Sequence, residues 1–63
     1  MREKLKKARQ DAGLTQQALA DRLGISLRYY KYIESGNRLG CIQIWDDLED
    51  LLNVHQRILR STE

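Results

Sequence analysis

The sequence predicts an all-α domain, a compact bundle of four to five short helices. Apolar residues recur every three or four positions, the spacing of a helix face, and no segment alternates with the period of two that a strand requires. Four segments are followed by residues that readily adopt the left-handed conformation ending a helix: Gly13, Gly24, Gly36 and Asn53. Because 63 residues suffice for one domain at most, we expect residues 1–63 to fold as a single domain.

The first predicted helix covers residues 2–12 and is basic. Its apolar side consists of Leu5, Ala8 and Ala12. We interpret its lysines as a solvated face, to which Arg2 and Lys6 add long-range attraction for a polyanion.

Two short helices follow, and each is preceded by a hydroxyl side chain. Thr15 caps Gln16–Leu23 and Ser26 caps Leu27–Ser35, because a side-chain oxygen there accepts hydrogen bonds from the unpaired N–H groups of the first turn. Only two residues separate the end of the first of these helices from the second cap, and Gly24 supplies the turn. So short a connection predicts a helix-turn-helix, in which one helix projects from the domain. The apolar contacts behind the turn are expected from Leu19, Ala20, Leu23, Ile25, Tyr30 and Ile33.

The fourth predicted helix, Ile42–Leu52, has an apolar and an acidic face. Its apolar stripe contains Ile42, Trp45, Leu48, Leu51 and Leu52, and its acidic side Asp46, Asp47, Glu49 and Asp50. We expect Trp45 in the core. Ile44 falls outside the stripe, so we expect it to be exposed and available to a second copy, together with Leu59 from a short fifth helix at residues 56–60.

The charges are divided unequally along the chain. Residues 1–38 carry nine Lys and Arg side chains against four Asp and Glu, whereas residues 39–63 carry two against five. A basic part with a net charge of +5 beside an acidic part with −3 indicates one surface for a polyanion such as nucleic acid and another that faces solvent or a partner.

Disulfide, metal and membrane functions are not expected. The lone Cys41 cannot form an intramolecular disulfide, and neither it nor the single His55 has further ligands at metal-binding spacing. No apolar run approaches the length of about 18 residues that a membrane span needs. We therefore expect a soluble, cytoplasmic protein without a cofactor or a small-molecule ligand.

The segment LTQQALADRLGIS, followed by IESGNR, resembles the phage repressor and Cro-type (XRE-like) helix-turn-helix family. The similarity extends without a gap over nearly the whole chain, at Arg9, Gly13, Leu14, Gln16, Ala20, Gly24, Ile33, Glu34, Gly36, Leu48, Leu52 and Val54. It implies a sequence-specific regulator that binds double-stranded operator DNA as a homodimer.

Two places depart from the family pattern. Tyr30 replaces an aliphatic residue, so its hydroxyl is expected to reach solvent or a partner, and Gly40 and Cys41 replace Pro and Ser or Thr before helix four.

The resemblance also implies roles for particular residues. Base edges would be contacted from the third helix by Leu27, Arg28, Lys31 and Tyr32, with Arg28 the strongest candidate because arginine can bind guanine through two hydrogen bonds. Phosphates would be contacted by Gln16, Gln17, Tyr29, Gly36, Asn37 and Arg38, although Tyr29 could equally be structural. Arg9 and Glu34 would form a structural ion pair between the first helix and the end of the third.

Two other classes of function were weighed against DNA binding. An enzyme is not expected, because no grouping of nucleophile, base and oxyanion donors is visible and the chain is too small to enclose a pocket. The alternative is a protein-interaction module, such as an antitoxin or adaptor, that uses the same scaffold and binds through its acidic fourth helix. Arg28 and Lys31 on the third helix favour DNA, whereas acidic residues there would have favoured the alternative.

Overall fold

A computed structural model of the protein describes residues 1–61. These residues form five α-helices joined by short loops: α1 (Glu3–Asp11), α2 (Gln16–Leu23), α3 (Leu27–Ser35), α4 (Ile42–Leu52) and α5 (Gln56–Leu59). The described range contains no strand. The prediction of an all-α bundle of four to five helices is confirmed. Among the described residues, no helix has the length and apolar composition to cross a membrane.

The predicted start and stop signals act as expected for α2 and α3. The Thr15 hydroxyl accepts a hydrogen bond from the Ala18 N–H at 3.0 Å, and the Ser26 hydroxyl accepts one from the Tyr29 N–H at 3.1 Å. All four predicted stop residues have positive φ: Gly13, Gly24, Gly36 and Asn53. Local sequence therefore determines where the two helices of the helix-turn-helix begin and end.

The loop before α4 explains one departure from the family pattern. Gly40 has a φ of 77°, which a proline ring cannot adopt, and a Cβ built at this position would lie 3.3 Å from Cδ1 of Ile33. Glycine thus lets this loop run close to the C-terminal part of α3. α4 starts at Ile42, as predicted, and its N-cap residue Cys41 makes no side-chain capping bond.

A single apolar core joins the five helices. Its buried members are Leu5, Leu19, Ala20, Tyr30, Ile33, Ile44, Trp45, Leu48, Leu52 and Leu59. The prediction that Trp45 is a core residue is confirmed, and its indole N–H donates to the Leu39 carbonyl at 2.6 Å.

Three sequence-based expectations about exposure are wrong. Ile44 is only 6% exposed whereas Ile42 is 75% exposed. Ile44 precedes Leu48 and Leu52 by four and eight residues and therefore lies on their buried face, which the predicted stripe did not take into account. Leu59 is also fully buried, which excludes both expected interface residues from a surface role. Ala12 is exposed because α1 ends one residue before it. In α5, by contrast, the packing of the other helices decides that Leu59 and not its neighbour Ile58 is buried.

Candidate nucleic-acid interface

α3 presents a basic face opposite its buried face. Tyr30, Ile33 and Glu34 are buried, whereas Arg28, Lys31 and Tyr32 on the other side are exposed. The fourth predicted base-contact residue, Leu27, is half-buried at the first turn. Within residues 1–61, neither Arg28 nor Lys31 forms an ion pair, so both charges are available to an external partner.

The start of α2 provides hydrogen-bond donors, although both of its predicted phosphate ligands also bond within the protein. The Gln16 side-chain amide donates to Oε1 of Glu34 at 3.2 Å, and the Gln17 amide donates to Oδ1 of Asp21 at 2.8 Å. Each amide nitrogen carries two hydrogens, so one N–H of each remains for another acceptor. The first backbone N–H groups of α2 also lack partners inside the helix, which suits them to a phosphate oxygen.

The loop after α3 holds the remaining predicted phosphate ligands. Gly36 ends α3 with a φ of 92°, and Asn37 and Arg38 are exposed beyond it. The Arg38 N–H donates to the Tyr32 carbonyl at 3.1 Å, which keeps the loop against the end of α3. Tyr29 is half-buried and packs against the apolar core, which agrees with the alternative that Tyr29 has a structural role.

A buried carboxylate joins the three N-terminal helices. Glu34 accepts from Arg9 Nε at 2.9 Å and Arg9 Nη2 at 3.3 Å, which gives the ion pair a two-bond geometry. It also accepts from the Tyr30 hydroxyl at 2.7 Å and from the Gln16 amide. Four hydrogen bonds to one buried carboxylate supply the compensation that a buried charge needs.

The protonation states of this cluster suit its hydrogen bonds. The hydrogen bond to Glu34 raises the pKa of Arg9, and burial, with the bond to Glu34, raises the pKa of the Tyr30 hydroxyl well above its ordinary value. Arg9 therefore stays charged and Tyr30 stays a neutral donor at physiological pH. Of the two outcomes expected for the Tyr30 hydroxyl, contact with solvent is excluded because the ring is fully buried, and the hydroxyl instead has Glu34 as its hydrogen-bond partner.

Comparison with known families agrees with this geometry. Residues 5–55 match the profile of the family described as Helix-turn-helix, which covers most of the chain. The protein belongs to the Cro/C1-type (XRE) helix-turn-helix family. Comparison with curated proteins and with solved structures gives no match. The family consists of DNA-binding regulators and is not a family of enzymes. In this general sense the Cro/C1-type domain is a DNA-binding transcription regulator.

Arg2 is a part of this Cro/C1-type domain that sequence reasoning missed. Its side chain is only 4% exposed and donates to three backbone carbonyls, those of Ile33, Arg38 (2.9 Å) and Arg60 (3.2 Å). Its guanidinium also lies 5.2 Å from the centre of the Trp45 ring, a cation–π distance. Arg2 therefore has a structural role in addition to the long-range attraction expected of it.

The contacts of Arg2 connect the loop after α3 to the end of α5. Ile33 belongs to α3, Arg38 to the loop with the predicted phosphate ligands, and Arg60 to the end of α5. Burial lowers the pKa of Arg2, and the charge of Arg60 lowers it further. No pattern in the sequence could have identified these partners, because every residue type has a backbone carbonyl.

Proposed function

We propose that this protein is a sequence-specific, repressor-like operator-binding protein that acts as a homodimer. The observation that carries the proposal is the exposed face of α3, on which Arg28 and Lys31 have no ion-pair partner among residues 1–61. The buried Arg9–Glu34 cluster holds the opposite face of the same helix. A fixed helix with free cations on its outer side suits insertion into the major groove of DNA.

The residues of α3 would share the reading of base edges. Arg28 would bind guanine O6 and N7 together, a contact worth about 1 to 3 kcal/mol of discrimination against other bases. Lys31 can donate to the same acceptors, and Leu27 and Tyr32 can pack against a thymine methyl group. These four side chains occupy positions 27, 28, 31 and 32, which share one side of a helix.

Phosphate contacts on both sides of α3 would set its position in the groove. On one side Gln16 and Gln17 supply N–H groups at the start of α2, and on the other Gly36, Asn37 and Arg38 supply the loop. Tyr29 would add a hydroxyl contact. Gln16 differs from the other phosphate ligands because its side-chain amide is already oriented by a hydrogen bond to the buried carboxylate of Glu34.

The homodimer would use the exposed apolar residues next to the phosphate loop. Ile44 and Leu59 are buried, whereas Leu39 and Ile42 are exposed and follow Arg38 directly in the chain. A second copy docked there would lie beside the first on the same DNA. The Cα atoms of one copy span 24 Å in the longest direction, so two adjacent copies can present their α3 helices about one helical turn, roughly 34 Å, apart. Occupancy of such an operator is sufficient for repression.

Selection of bound sequences from random duplexes, followed by a salt titration, tests this proposal. We expect two related half-sites one turn apart in the selected DNA. For about three to five phosphate contacts per subunit, the log–log slope of affinity against salt should be about −3 to −4.5 per subunit. Affinity that does not change with salt on any duplex would exclude DNA as the ligand. A strictly 1:1 complex on the selected site would exclude the homodimer. An Ile42→Ser variant that still binds as a dimer with parental affinity would exclude the proposed dimer interface.

A further inference from the structure

A shallow apolar groove lies between α1, the end of α4 and α5. Its volume is about 360 Å³, and its lining combines an apolar floor with a charged rim: Ala8, Ala12, Leu52, Val54 and Ile58 below, and Lys4, Lys7 and Asp11 above. Ile58 is 47% exposed in this groove, although it is a large aliphatic side chain. None of these residues belongs to the proposed DNA surface.

The rim of the groove is a stripe along α1 with opposite charges at its ends. Lys4 and Asp11 are seven residues apart, so they lie on the same face of the helix and about 10.5 Å apart along its axis. The small side chain of Ala8 lies between them, which allows another helix to approach closely. Lys7 is 3.7 Å from Asp11, but both side chains are largely exposed, and such a pair contributes little stability and can exchange partners.

We propose that this groove binds a second copy of the same chain, related by a two-fold axis that passes between Lys7 and Ala8. The two α1 helices would be antiparallel, which places Lys4 of each copy opposite Asp11 of the other. Ile58 of each copy would cover the apolar floor of the other groove near Ala8. A two-fold contact requires a self-complementary surface, and this groove has one in its apolar residues and in the charges of Lys4 and Asp11. The two Lys7 side chains flank the axis and are the unfavourable part of the contact, which is reduced because these side chains are 78% exposed to solvent.

The order of charges favours a second copy over other partners. An acidic segment would be repelled by Asp11, and a basic segment would be repelled by Lys4 and Lys7. Only a partner that presents the opposite signs in reversed order matches both ends, and an antiparallel copy of α1 does so. The small area of the groove predicts a weak, concentration-dependent contact.

This contact is separate from DNA binding, so one copy can use both surfaces at once. The inference does not depend on the proposed function, because the contact forms without DNA.

Sedimentation equilibrium of the DNA-free protein, at concentrations up to about 1 mM, tests the proposal. The parent should show a monomer–dimer equilibrium. Lys4→Glu and Asp11→Lys should each raise the dissociation constant about tenfold or more, because each converts two attractive pairs into repulsive ones. The double variant restores opposite charges and should return the dissociation constant to within about threefold of the parent. Melting temperatures of all variants should match the parent, which shows that folding is unaffected.

The outcomes distinguish this surface from the proposed operator interface. Ile42→Ser is the matched control and should leave the charge-dependent association unchanged. A parent that remains monomeric over the whole range would overturn the proposal, and so would a double variant no better than the single ones. If association were lost in Ile42→Ser but insensitive to Lys4→Glu, the self-association would occur through the surface around Ile42 and not through the groove. That result would also overturn the proposal.

Discussion

Two buried arginines hold helix α3 in different ways. Arg9, 8% exposed, donates two hydrogen bonds to the carboxylate of Glu34, whereas Arg2, 4% exposed, donates to backbone carbonyls and lies over the ring of Trp45. The pKa shifts follow this difference. The hydrogen bond to Glu34 raises the pKa of Arg9, while burial lowers that of Arg2.

The comparison shows that a buried cation needs compensation but not necessarily a counter-charge. At Arg9 the compensation is a full negative charge, so removing either partner leaves the other buried and unpaired. At Arg2 it comes from dipoles, including the Ile33 carbonyl near the C-terminal end of α3, where helix carbonyls carry partial negative charge. Removal of Arg2 leaves neutral carbonyls and no unpaired charge. The Arg9 cluster should therefore be the more sensitive of the two.

Glu34→Ala should cause the largest loss of stability. It leaves Arg9 as an uncompensated buried charge and removes the acceptor of Tyr30 and Gln16, at a cost of about 3 to 5 kcal/mol. In a domain whose total stability is about 5 kcal/mol, much of the protein would be unfolded and DNA binding would weaken for that reason. Urea unfolding of this variant, with Glu34→Gln as the control that keeps the shape and loses the charge, measures the effect. Melting like that of the parent would show that the pair is not structural.

Arg2→Met should destabilise the protein less, by about 1 to 3 kcal/mol. The variant keeps an apolar side chain on Trp45 but loses three hydrogen bonds to carbonyls and the cation–π contact. Arg2→Lys is the control, because it keeps the charge and should recover only part of the loss. Thermal unfolding of both variants measures the difference. A loss greater than that of Glu34→Ala would reverse the comparison.

Tyr30→Phe should have a smaller effect that depends on pH. The pKa of Tyr30 in the folded protein is raised above its unfolded value of about 10, so the neutral hydroxyl stabilises the fold below pH 10 and this contribution is lost as the pH rises further. At neutral pH the variant should lose about 1 kcal/mol, the value of one hydrogen bond. Above about pH 10 the parent should lose up to about 1.4 kcal/mol per pH unit more than the variant. Unfolding curves from pH 8 to 11 test this, and parallel losses in the two proteins would contradict it.

Arg28→Ala should leave stability nearly unchanged, within about 0.5 kcal/mol, because this arginine is exposed and has no ion pair within residues 1–61. The affinity of the Arg28→Ala variant for the selected operator should fall about tenfold or more per half-site. Arg22→Ala is the matched control, since Arg22 is an exposed arginine outside the proposed DNA surface. If Arg28→Ala unfolded the protein while Glu34→Ala melted like the parent, the structural and reading roles would have to be exchanged.

Local rules in the sequence were sufficient for the helices and their ends. Thr15 and Ser26 cap α2 and α3 through bonds that span three residues, and Gly24 ends α2 by its own backbone conformation. These signals depend on neighbours in the chain, so no tertiary information is needed to read them. The Arg9 and Glu34 partnership could be anticipated as well, because the resemblance to a family connects residues that are distant in sequence.

Only the tertiary structure decided which apolar residue of α5 is buried and what surrounds Arg2 and Tyr30. Ile58 and Leu59 are adjacent and both strongly apolar, yet Leu59 is fully buried in the core and Ile58 is 47% exposed. The partners of Arg2 are carbonyls from three separate segments, which no residue pattern marks. Sequence determines interactions between neighbours along the chain, whereas a choice between equivalent apolar residues, or a bond to a backbone carbonyl, depends on how the helices pack.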